Sequence, residues 1–389
     1  MLSKQLFSMM GDEAWRERER ARKRREYLVQ AALLLVLAAL IASAVMNVSS
    51  NLEARHIRSG FAFLTSAAGF DVGEPMIAYS QTDPIWKAFL VGILNTIRVS
   101  AVSIVAATVL GIVVGLMRLS HHPLLRLLGT AHVELYRNIP LLVLLLAIYM
   151  VITQLLPGGR GALHIGSWVY LSKAGLQAAV PLWGVWAVAA GLAAGAAAGW
   201  LYLRLSRREG LLAKTIAACL FAAVFAAAWA LCGAIGGWEH PQATRFALRG
   251  GFQVSPEFLT LSLGLTLFTS AAIAEIVRAG VLAVPPDQWN AGLALGMTMS
   301  QTVNYIVFPQ SMKLAIPPLA SQYMNLTKNS SLAVLVGYPD LVNVGNTVIN
   351  VTSQSLEVIC IIMAVYLVLN LVISYVMNAF NARVMRKVQ

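Results

Sequence analysis

Residues 275–317 read EIVRAGVLAVPPDQWNAGLALGMTMSQTVNYIVFPQSMKLAIP. The stretch is too polar to cross a bilayer, and hydrophobic segments flank it on both sides. Pro285 and Pro286 predict the start of a helix, because a proline at the first helical position lacks only a donor that would have no partner there. Asp287 adds a carboxylate to the positive first turn. Gly296 predicts the end of that helix, in the left-handed conformation that glycine adopts at little cost.

A second short helix is predicted from Ser300 to about Phe308. Pro309 should end it, because proline lacks the amide donor that a continuing helix needs. In the first helix, Trp289 and Leu293 lie four residues apart and therefore share one face. The stretch is thus predicted to be a bent pair of short amphipathic helices, a shape that another protein can grip.

The composition indicates an integral membrane protein. Of the 389 residues, 58% are hydrophobic and only 12% are charged, which is far more apolar than a soluble domain of this length. The formal net charge of +12 comes from short basic clusters beside apolar segments. Such clusters are typical of membrane topology signals, so no nucleic-acid partner is predicted. The adjacent His121 and His122 have no carboxylate or thiol nearby, and no metal site is predicted.

Hydrophobic segments predict an all-α membrane protein with about eight transmembrane helices. Its organisation is a basic amino-terminal segment (1–27), a first span (28–48), an external loop (49–87) and a remainder (88–389). The remainder includes an Ala-rich two-helix insertion at about 181–235, between external loops at 157–180 and 236–257. The other seven spans are predicted at 88–117, 133–157, 181–203, 211–235, 258–281, 318–338 and 356–380.

Two glycine patterns predict close helix packing. Gly111 and Gly115 in the second span have the small-xxx-small spacing that lets another helix approach. Gly191, Gly195 and Gly199 extend the same pattern along the fourth span.

The distribution of basic residues predicts the orientation. An even number of spans places both termini on one side, and basic residues concentrate on the side that faces the cytoplasm. Both termini and the 284–316 loop are therefore predicted to be cytoplasmic. Besides the amino-terminal cluster, the residues on this side are Arg118, Arg126, Arg204, Arg207, Arg208, Lys214, Lys313, Arg383, Arg386 and Lys387.

The opening stretch and its continuation carry a longer pattern. It resembles the EAA loop of bacterial ABC importer permeases of the polar amino-acid family, roughly E-x-x-R-x-G, Q-x-E-A-A-x-x-x-G, a proline, and K-x-(S/T)-S-L. Asn290 stands where that family has glutamate, and Gly292 stands at its second alanine. VELYRNIPLL (133–142) and LVGILNTIRVS (90–100) are similar to other segments of the same family, whose core corresponds to residues 86–156 and 257–389. The residues at the positions of the loop pattern are Glu275, Arg278, Gly280, Gln288, Asn290, Ala291, Gly292, Gly296, Pro309, Gln310, Lys328, Ser330, Ser331 and Leu332.

This resemblance implies a type I ABC importer permease with cytoplasmic coupling helices, of the larger kind found in general L-amino-acid and glutamate/aspartate importers. The implied partners are a sister permease, two cytoplasmic ATPase subunits, a periplasmic amino-acid-binding protein and the lipids of the bacterial inner membrane. The sequence contains no G-x-x-x-x-G-K-(S/T) phosphate loop. We therefore expect no enzymatic activity and no cofactor in this chain, with ATP and Mg²⁺ bound by the partner ATPase.

The ATPase-coupling surface is predicted on the first loop helix. An interfacial amphipathic helix would explain the tryptophan as well, but not the glycine and proline spacing. Two pairs of opposite charges, Glu275 with Arg278 and Glu134 with Arg137, have three-residue spacing and are predicted to act as structural braces or as gates. The predicted coupling residues are Gln288, Trp289, Asn290, Ala291, Leu293 and Gly296.

A substrate pathway is predicted around Lys328. If the seventh span begins near Pro318, ten residues place the ammonium roughly 15 Å into the membrane, where a charge usually faces a cavity. Asn329, Ser330 and Ser331 extend this polar band, and Arg98 in the second span is a weaker candidate. The alternative is a structural bond from Lys328 to carbonyls or to the sister subunit.

Two other classes of function compete with the importer. An ion-coupled secondary amino-acid transporter would need no ATPase, but such folds commonly show two related halves, and no internal repeat is evident. A membrane enzyme would need clustered His, Asp, Glu or Cys residues near one bilayer face, and the sequence shows no such cluster.

Overall fold

The computed structural model describes residues 2–54, 60–205, 211–244 and 248–385. Among the basic residues used above to predict orientation, Arg207, Arg208, Arg386 and Lys387 lie outside the described residues. The helices are α1 Leu2–Ala54, α2 Ile85–Leu119, α3 Pro123–Asn138, α4 Leu141–Met150, α5 Val185–Leu205, α6 Leu211–Gly236, α7 Pro256–Leu282, α8 Pro286–Ala294, α9 Met299–Thr302, α10 Phe308–Asn329, α11 Leu341–Thr352 and α12 Ser355–Met385.

The chain divides into two compact units. Residues 1–61, together with 352–357, form the first, which holds α1. Residues 62–351 and 358–389 form the second, which holds α2 to α11 and most of α12. Every predicted site residue lies in the second unit.

Six of the described helices are long and apolar enough to cross a membrane, and the bent pair of α3 with α4 brings the total to at most seven. The prediction of a mainly helical, multi-span membrane protein is confirmed, whereas the count of eight spans is not. The six are all or part of α1, α2, α5, α6, α7 and α12.

Helices α2 and α7 form the centre of the second unit. They run in the same direction and lie side by side, with Arg98 of α2 beside Phe258 at one end and Arg118 beside Glu275 at the other. A Cβ on Gly111 would lie 2.6 Å from the Cβ of Ile273. The predicted close approach at this glycine is therefore confirmed, and α7 is the helix that uses it.

The predicted span 133–157 is wrong as a single straight helix. The chain bends by 103° between α3 and α4. The cause is Pro140, because the residue before a proline is disfavoured in the helical conformation, and Ile139 is extended with φ −92° and ψ 127°. Helix α3 instead packs beside the ends of α2 and α7, where Val133 is fully buried. Only α4 and the π-helical turn Val151–Leu155 continue as the apolar segment.

The predicted seventh span, 318–338, also differs. Helix α10 begins ten residues earlier, at Phe308, and contains Pro317 and Pro318. It ends at Asn329, where a 3₁₀ segment, Ser330–Leu335, takes over. It is too polar to be counted with the long apolar helices. It nevertheless packs against α7 and α2 inside the second unit.

The two external segments predicted as loops contain short β-strands. The strands are β1 Leu163–Ile165, β2 Val169–Ser172, β3 Gly175–Ala178, β4 Val180–Pro181, β5 Trp238–Glu239, β6 Gln242–Ala243, β7 Leu248–Arg249 and β8 Phe252–Val254. β3 pairs antiparallel with β2 and with β8, so the 157–180 and 236–257 segments join in one sheet of order β1-β2-β3-β8. The remaining strands form two-stranded pairs, β4 with β5 and β6 with β7.

The glycine pattern of α5 is occupied by α6. Phe225 lies over Gly191, and Phe221 lies over Gly195. A Cβ built on Gly191 would lie 2.9 Å from the Phe225 ring, and one built on Gly195 would lie 3.0 Å from the Phe221 ring. Neither position has room for a side chain. The predicted close approach is confirmed, and it joins the two helices of the insertion to each other.

Residues 62–84, which we call the strap, precede α2. Phe63, Ala68 and Val72 of the strap are buried with residues of α2 and α11. The strap therefore covers the end of α2 where Arg98 lies, which we call the strap end. The opposite end of α2 and α7, where the chain enters α8, we call the loop end.

Candidate functional site

The connection between α7 and α10, residues 283–307, is the candidate site, and we call it the helical loop. Its first helix, α8, begins at Pro286 and ends at Ala294. Gly296 follows with φ +77°. Its amide donates to the Leu293 carbonyl (3.0 Å), and the Met297 amide donates to the Gly292 carbonyl (3.2 Å). This is the Schellman pair of bonds, and the predicted start and glycine end of the helix are confirmed.

The second helix of the helical loop begins as a capped helix. The Thr298 hydroxyl accepts from the Gln301 amide at 3.3 Å, and the Gln301 side chain accepts from the Thr298 amide at 2.8 Å. These reciprocal bonds form a capping box, which stabilises the first turn by satisfying two unpaired donors. Helix α9 starts at Met299, one residue before the prediction.

The prediction that Pro309 ends this helix is wrong. A π-helical turn, Val303–Val307, joins α9 to α10, and Pro309 stands in the first turn of α10. In this turn the Phe308 amide donates to the carbonyl of Val303, five residues back. The wider π-helical turn shifts the hydrogen-bond register just before Pro309. The amide donor that Pro309 lacks therefore does not end the helix. The helical loop therefore continues into α10 without a break.

The two loop helices pack on each other at Gly292. A Cβ there would lie 2.7 Å from Thr302 Cγ2 and 3.0 Å from Ile306 Cδ1. The side-chain amide of Gln310 also donates to Gln288 Oε1 at 3.1 Å. This bond connects α8 to the start of α10. The bent pair is thus a fixed unit rather than two independent segments.

The outer surface of the helical loop is polar at its start and apolar at its end. Of the predicted coupling residues, Trp289 is half-buried and the other five are exposed. Leu293 is 46% exposed, and two neighbours that the sequence analysis missed, Leu295 and Met299, are 79% and 56% exposed. The sequence feature that could have identified Leu295 and Met299 is the presence of large apolar residues at a turn between two short helices. They widen the apolar surface available to a partner.

A cluster of three charged residues lies at the base of the helical loop. Arg278 donates from Nε and Nη2 to Glu275 Oε1, at 3.2 Å and 2.6 Å, so the pairing predicted from the three-residue spacing is confirmed. Arg118, at the end of α2, contacts the other oxygen of the same carboxylate. Glu275 therefore links α2 to the last turns of α7, immediately before the helical loop.

The second predicted charge pair is not formed. Glu134 and Arg137 both lie on α3. Glu134 accepts from the Asn138 side-chain amide at 3.3 Å. Within the described part of the chain, Arg137 makes no ion pair. The three-residue spacing places the two on neighbouring positions, but it does not by itself bring the charged groups together.

Lys328 lies in the last turn of α10, because that helix begins at Phe308 rather than near Pro318. Its side chain is exposed, and it makes no ion pair with any residue that the structure describes. The Ser330 hydroxyl donates to the Thr327 carbonyl at 2.8 Å, and the Ser331 hydroxyl donates to the Lys328 carbonyl at 2.7 Å. Within the chain these two hydroxyls satisfy backbone carbonyls at the end of the helix.

Arg98 pairs with the strap rather than with Lys328. Its guanidinium donates to Glu74 of the strap at 3.2 Å and lies 4.5 Å from the centre of the Phe258 ring. Glu74 was not among the predicted residues, because nothing in the sequence links a loop carboxylate to a cation that lies 24 residues further along the chain.

Comparison with known proteins places the chain in a family. The family described as binding-protein-dependent transport system inner membrane component matches residues 107–388. The chain belongs to this family. The match includes the helical loop and its charged cluster, whereas the strap and Arg98 precede it.

Three relatives of this inner membrane component match nearly its whole length. The putative amino-acid ABC transporter permease protein YhdX of Escherichia coli is 40% identical and aligns over 92% of this chain and 94% of its own. The general L-amino acid transport system permease protein AapQ of Rhizobium johnstonii is 37% identical, over 93% and 92%. The glutamate/glutamine/aspartate/asparagine transport system permease protein BztB of Rhodobacter capsulatus is 32% identical, over 93% and 94%.

Membership in this family has two consequences. The chain is a multi-pass protein of the inner membrane, in agreement with its long apolar helices. The ion-coupled alternative receives no support, because the family is defined by transport that depends on a binding protein.

Proposed function

We propose that this chain is the transmembrane subunit of an ABC importer for L-amino acids, and that it receives energy through the helical loop from a separate ATPase that binds ATP and Mg²⁺. The observation that carries the proposal is the rigid, exposed loop that continues into α7 on one side and α10 on the other. The relatives, which are named as amino-acid transport permeases, support the substrate class.

The proposed coupling is mechanical. A partner that grips α8 moves the ends of α7 and α10 together, because the Schellman turn, the capping box and the Gln310–Gln288 bond hold the loop in one shape. The Glu275 cluster passes that movement to α2. The chain itself then needs no catalytic residue.

The proposed orientation places the loop end in the cytoplasm. Arg118 and Lys313 lie near this end, and Arg126 lies on α3 beside it. Basic residues concentrate on the cytoplasmic side of inner-membrane proteins. The strap and the β-strands then face the periplasm, where a solute-binding protein would deliver the substrate.

The proposed substrate pathway follows a polar face of α10. Ser321, Asn325 and Lys328 are all exposed, and their spacing of four and three residues puts them on one side of the helix. The Tyr323 hydroxyl bonds Thr108 of α2 at 2.9 Å. This contact indicates how deep α10 lies in the membrane.

The depth follows from α2. Arg98 and Arg118 lie twenty residues apart, which corresponds to about 30 Å along a helix and to one hydrocarbon thickness. If these two arginines mark the membrane boundaries, Thr108 is halfway between them, Tyr323 is near the midplane and Lys328 lies roughly 8 Å beyond it. An exposed ammonium at that depth does not face lipid. We therefore assign this polar face to a water-filled path closed by the sister permease.

Conversion of Lys328 to methionine tests the pathway. We expect Lys328→Met to lower amino-acid uptake by at least about tenfold, because a substrate carboxylate loses a charge-assisted bond worth roughly 1.5–3 kcal/mol. The complex should still assemble, since Lys328 makes no ion pair in the described chain. Lys313→Met, on the same helix at the loop end, is the matched control and should transport normally. Equal uptake by both variants would remove Lys328 from the pathway.

Purification of the full-length chain from its native membranes tests the function itself. We expect an ATPase subunit and a second permease to co-purify with it, and ATP hydrolysis to be required for uptake by the reconstituted complex. Uptake by the chain alone, driven by an ion gradient, would contradict the importer.

A further inference from the structure

Four segments of the chain meet at Arg98. The strap contributes Glu74, α7 contributes Phe258, and α2 contributes Arg98 itself. The fourth segment is the link after the 3₁₀ turn, because Tyr338 packs edge-on against the Phe258 ring at 5.7 Å. In the same link, the Pro339 carbonyl accepts a hydrogen bond from the side-chain amide of Asn95 of α2 at 2.9 Å. The junction holds the strap end of the second unit together.

This junction is connected to the helical loop by continuous helix. α9, the π-helical turn and α10 run without interruption from Met299 to Asn329, and the 3₁₀ segment carries the chain on to Leu335. Tyr338 follows three residues later. A movement of the loop along this helix therefore reaches Tyr338, whose ring packs against Phe258, the ring beside Arg98.

The strap contains a residue in an uncommon backbone conformation and borders a cavity. Glu74 has a φ of +51°, a left-handed conformation that is uncommon for a residue other than glycine. Behind the strap lies a cavity of about 150 Å³, lined by Val72 and Gly73 on the strap side and by Asn343 and Thr347 of α11. Besides the ion pair, buried Phe63, Ala68 and Val72 hold the strap against α2 and α11, and the Ile85 amide donates to the Ser66 carbonyl at 3.0 Å.

We propose that the Glu74–Arg98 ion pair is a latch that holds the strap closed over the strap end of α2 and opens when the helical loop moves. The pair is 24% and 22% exposed at its two side chains. Both side chains are partly exposed, so solvent can reach the ion pair but does not screen it completely. Such a contact can form and break. This inference rests on the proposed importer function.

Labelling of a cysteine beneath the strap tests the latch. The background is Cys219→Ser, Cys232→Ser and Cys360→Ser, and the probe is Val72→Cys, a buried strap position (4% exposed) labelled with a membrane-impermeant maleimide. We expect Glu74→Gln and Arg98→Gln each to raise the labelling rate about fivefold, as loss of a partly exposed ion pair does. Arg98→Lys keeps the charge and should stay near the parent rate. The double variant should match the single ones, because both remove the same contact.

A second ion pair of the strap supplies the control. Asp83 accepts from the Lys87 ammonium at 2.8 Å, and this bond lowers the pKa of the Asp83 carboxyl below its ordinary value, so the pair is formed at neutral pH. Asp83→Asn should leave labelling at position 72 unchanged. Unchanged labelling in Glu74→Gln and Arg98→Gln, multiplied effects in the double variant, or an equal increase in Asp83→Asn would each overturn the latch.

The assembled complex separates this proposal from the proposed function. With the partner ATPase trapped in its ATP-bound state, labelling at position 72 should rise in the parent and stay high in Glu74→Gln. Active ATP hydrolysis and uptake without any change at position 72 would overturn the latch and leave the importer intact. Failure of any ATPase to associate would overturn the importer, whereas the labelling pattern in the chain alone would still report on the latch.

Discussion

Replacement of Gly111 with valine is expected to destabilise the second unit strongly. The new Cβ would lie 2.6 Å from Ile273 Cβ and 3.0 Å from the Ser270 carbonyl, and neither the branched side chain nor the backbone can give way without separating α2 from α7. Overpacking a tight interior contact costs about 1–3 kcal/mol, and more where backbone must shift. We expect the yield of monodisperse chain in detergent to fall at least about tenfold, measured by size-exclusion chromatography.

The matched control is Ala101→Val, on the exposed side of the same helix. It adds two methyl groups that meet no neighbour, so the yield should stay near that of the parent. If Gly111→Val gave the same yield as Ala101→Val, α2 and α7 would not pack at this glycine as described.

Replacement of Gly296 with valine should uncouple ATP hydrolysis from uptake. The glycine has φ +77°, and nothing lies within 4 Å of a Cβ built on it. The cost is therefore conformational alone, about 1–2 kcal/mol for a side chain in the left-handed region and more for a branched one. Loss of the Schellman turn would tilt α8 away from α9, and we expect uptake per ATP hydrolysed to fall by about tenfold.

The control stands at the same position. Gly296→Asn adds a side chain of similar size that tolerates the left-handed conformation, and it should preserve most of the coupled uptake. If the valine and asparagine variants behaved alike, the backbone conformation at residue 296 would not be what couples the loop to the ATPase.

Local sequence signals predicted the helical loop well. Pro286 and Gly296 mark the ends of α8 because their effects act on their own backbone and need no distant partner. The helices α2 and α7 were predicted within three residues at each end, since long apolar runs leave few alternatives. The Glu275–Arg278 pair was predicted from helical spacing, whereas the same spacing did not pair Glu134 with Arg137.

Features that depend on distant residues were missed. Arg118 joins Glu275 from 157 positions upstream, and the strands pair across the α5–α6 insertion, Leu176 with Val254. Pro140 and Pro309 show that even a local rule depends on context. The first proline bends the chain by 103°, whereas a π-helical turn accommodates the second.

The sequence predicted Lys328 near mid-bilayer from a helix start at Pro318, and that start is wrong. The Thr108–Tyr323 contact supplies another reference, and the depth proposed above for Lys328 rests on it. No pattern in the sequence identifies that contact, because it joins residues 215 positions apart.

Photocrosslinking tests the central claim most directly. p-Benzoyl-phenylalanine is placed at position 293 on α8, and at position 252 on β8 as the reference, in the full-length chain in its native membrane. Both positions carry exposed apolar side chains, 46% and 54% exposed. If the helical loop receives the ATPase, irradiation should join an ATPase subunit to the chain at position 293 and not at position 252. Capture of the ATPase at position 252 alone, or of lipid alone at position 293, would contradict the claim.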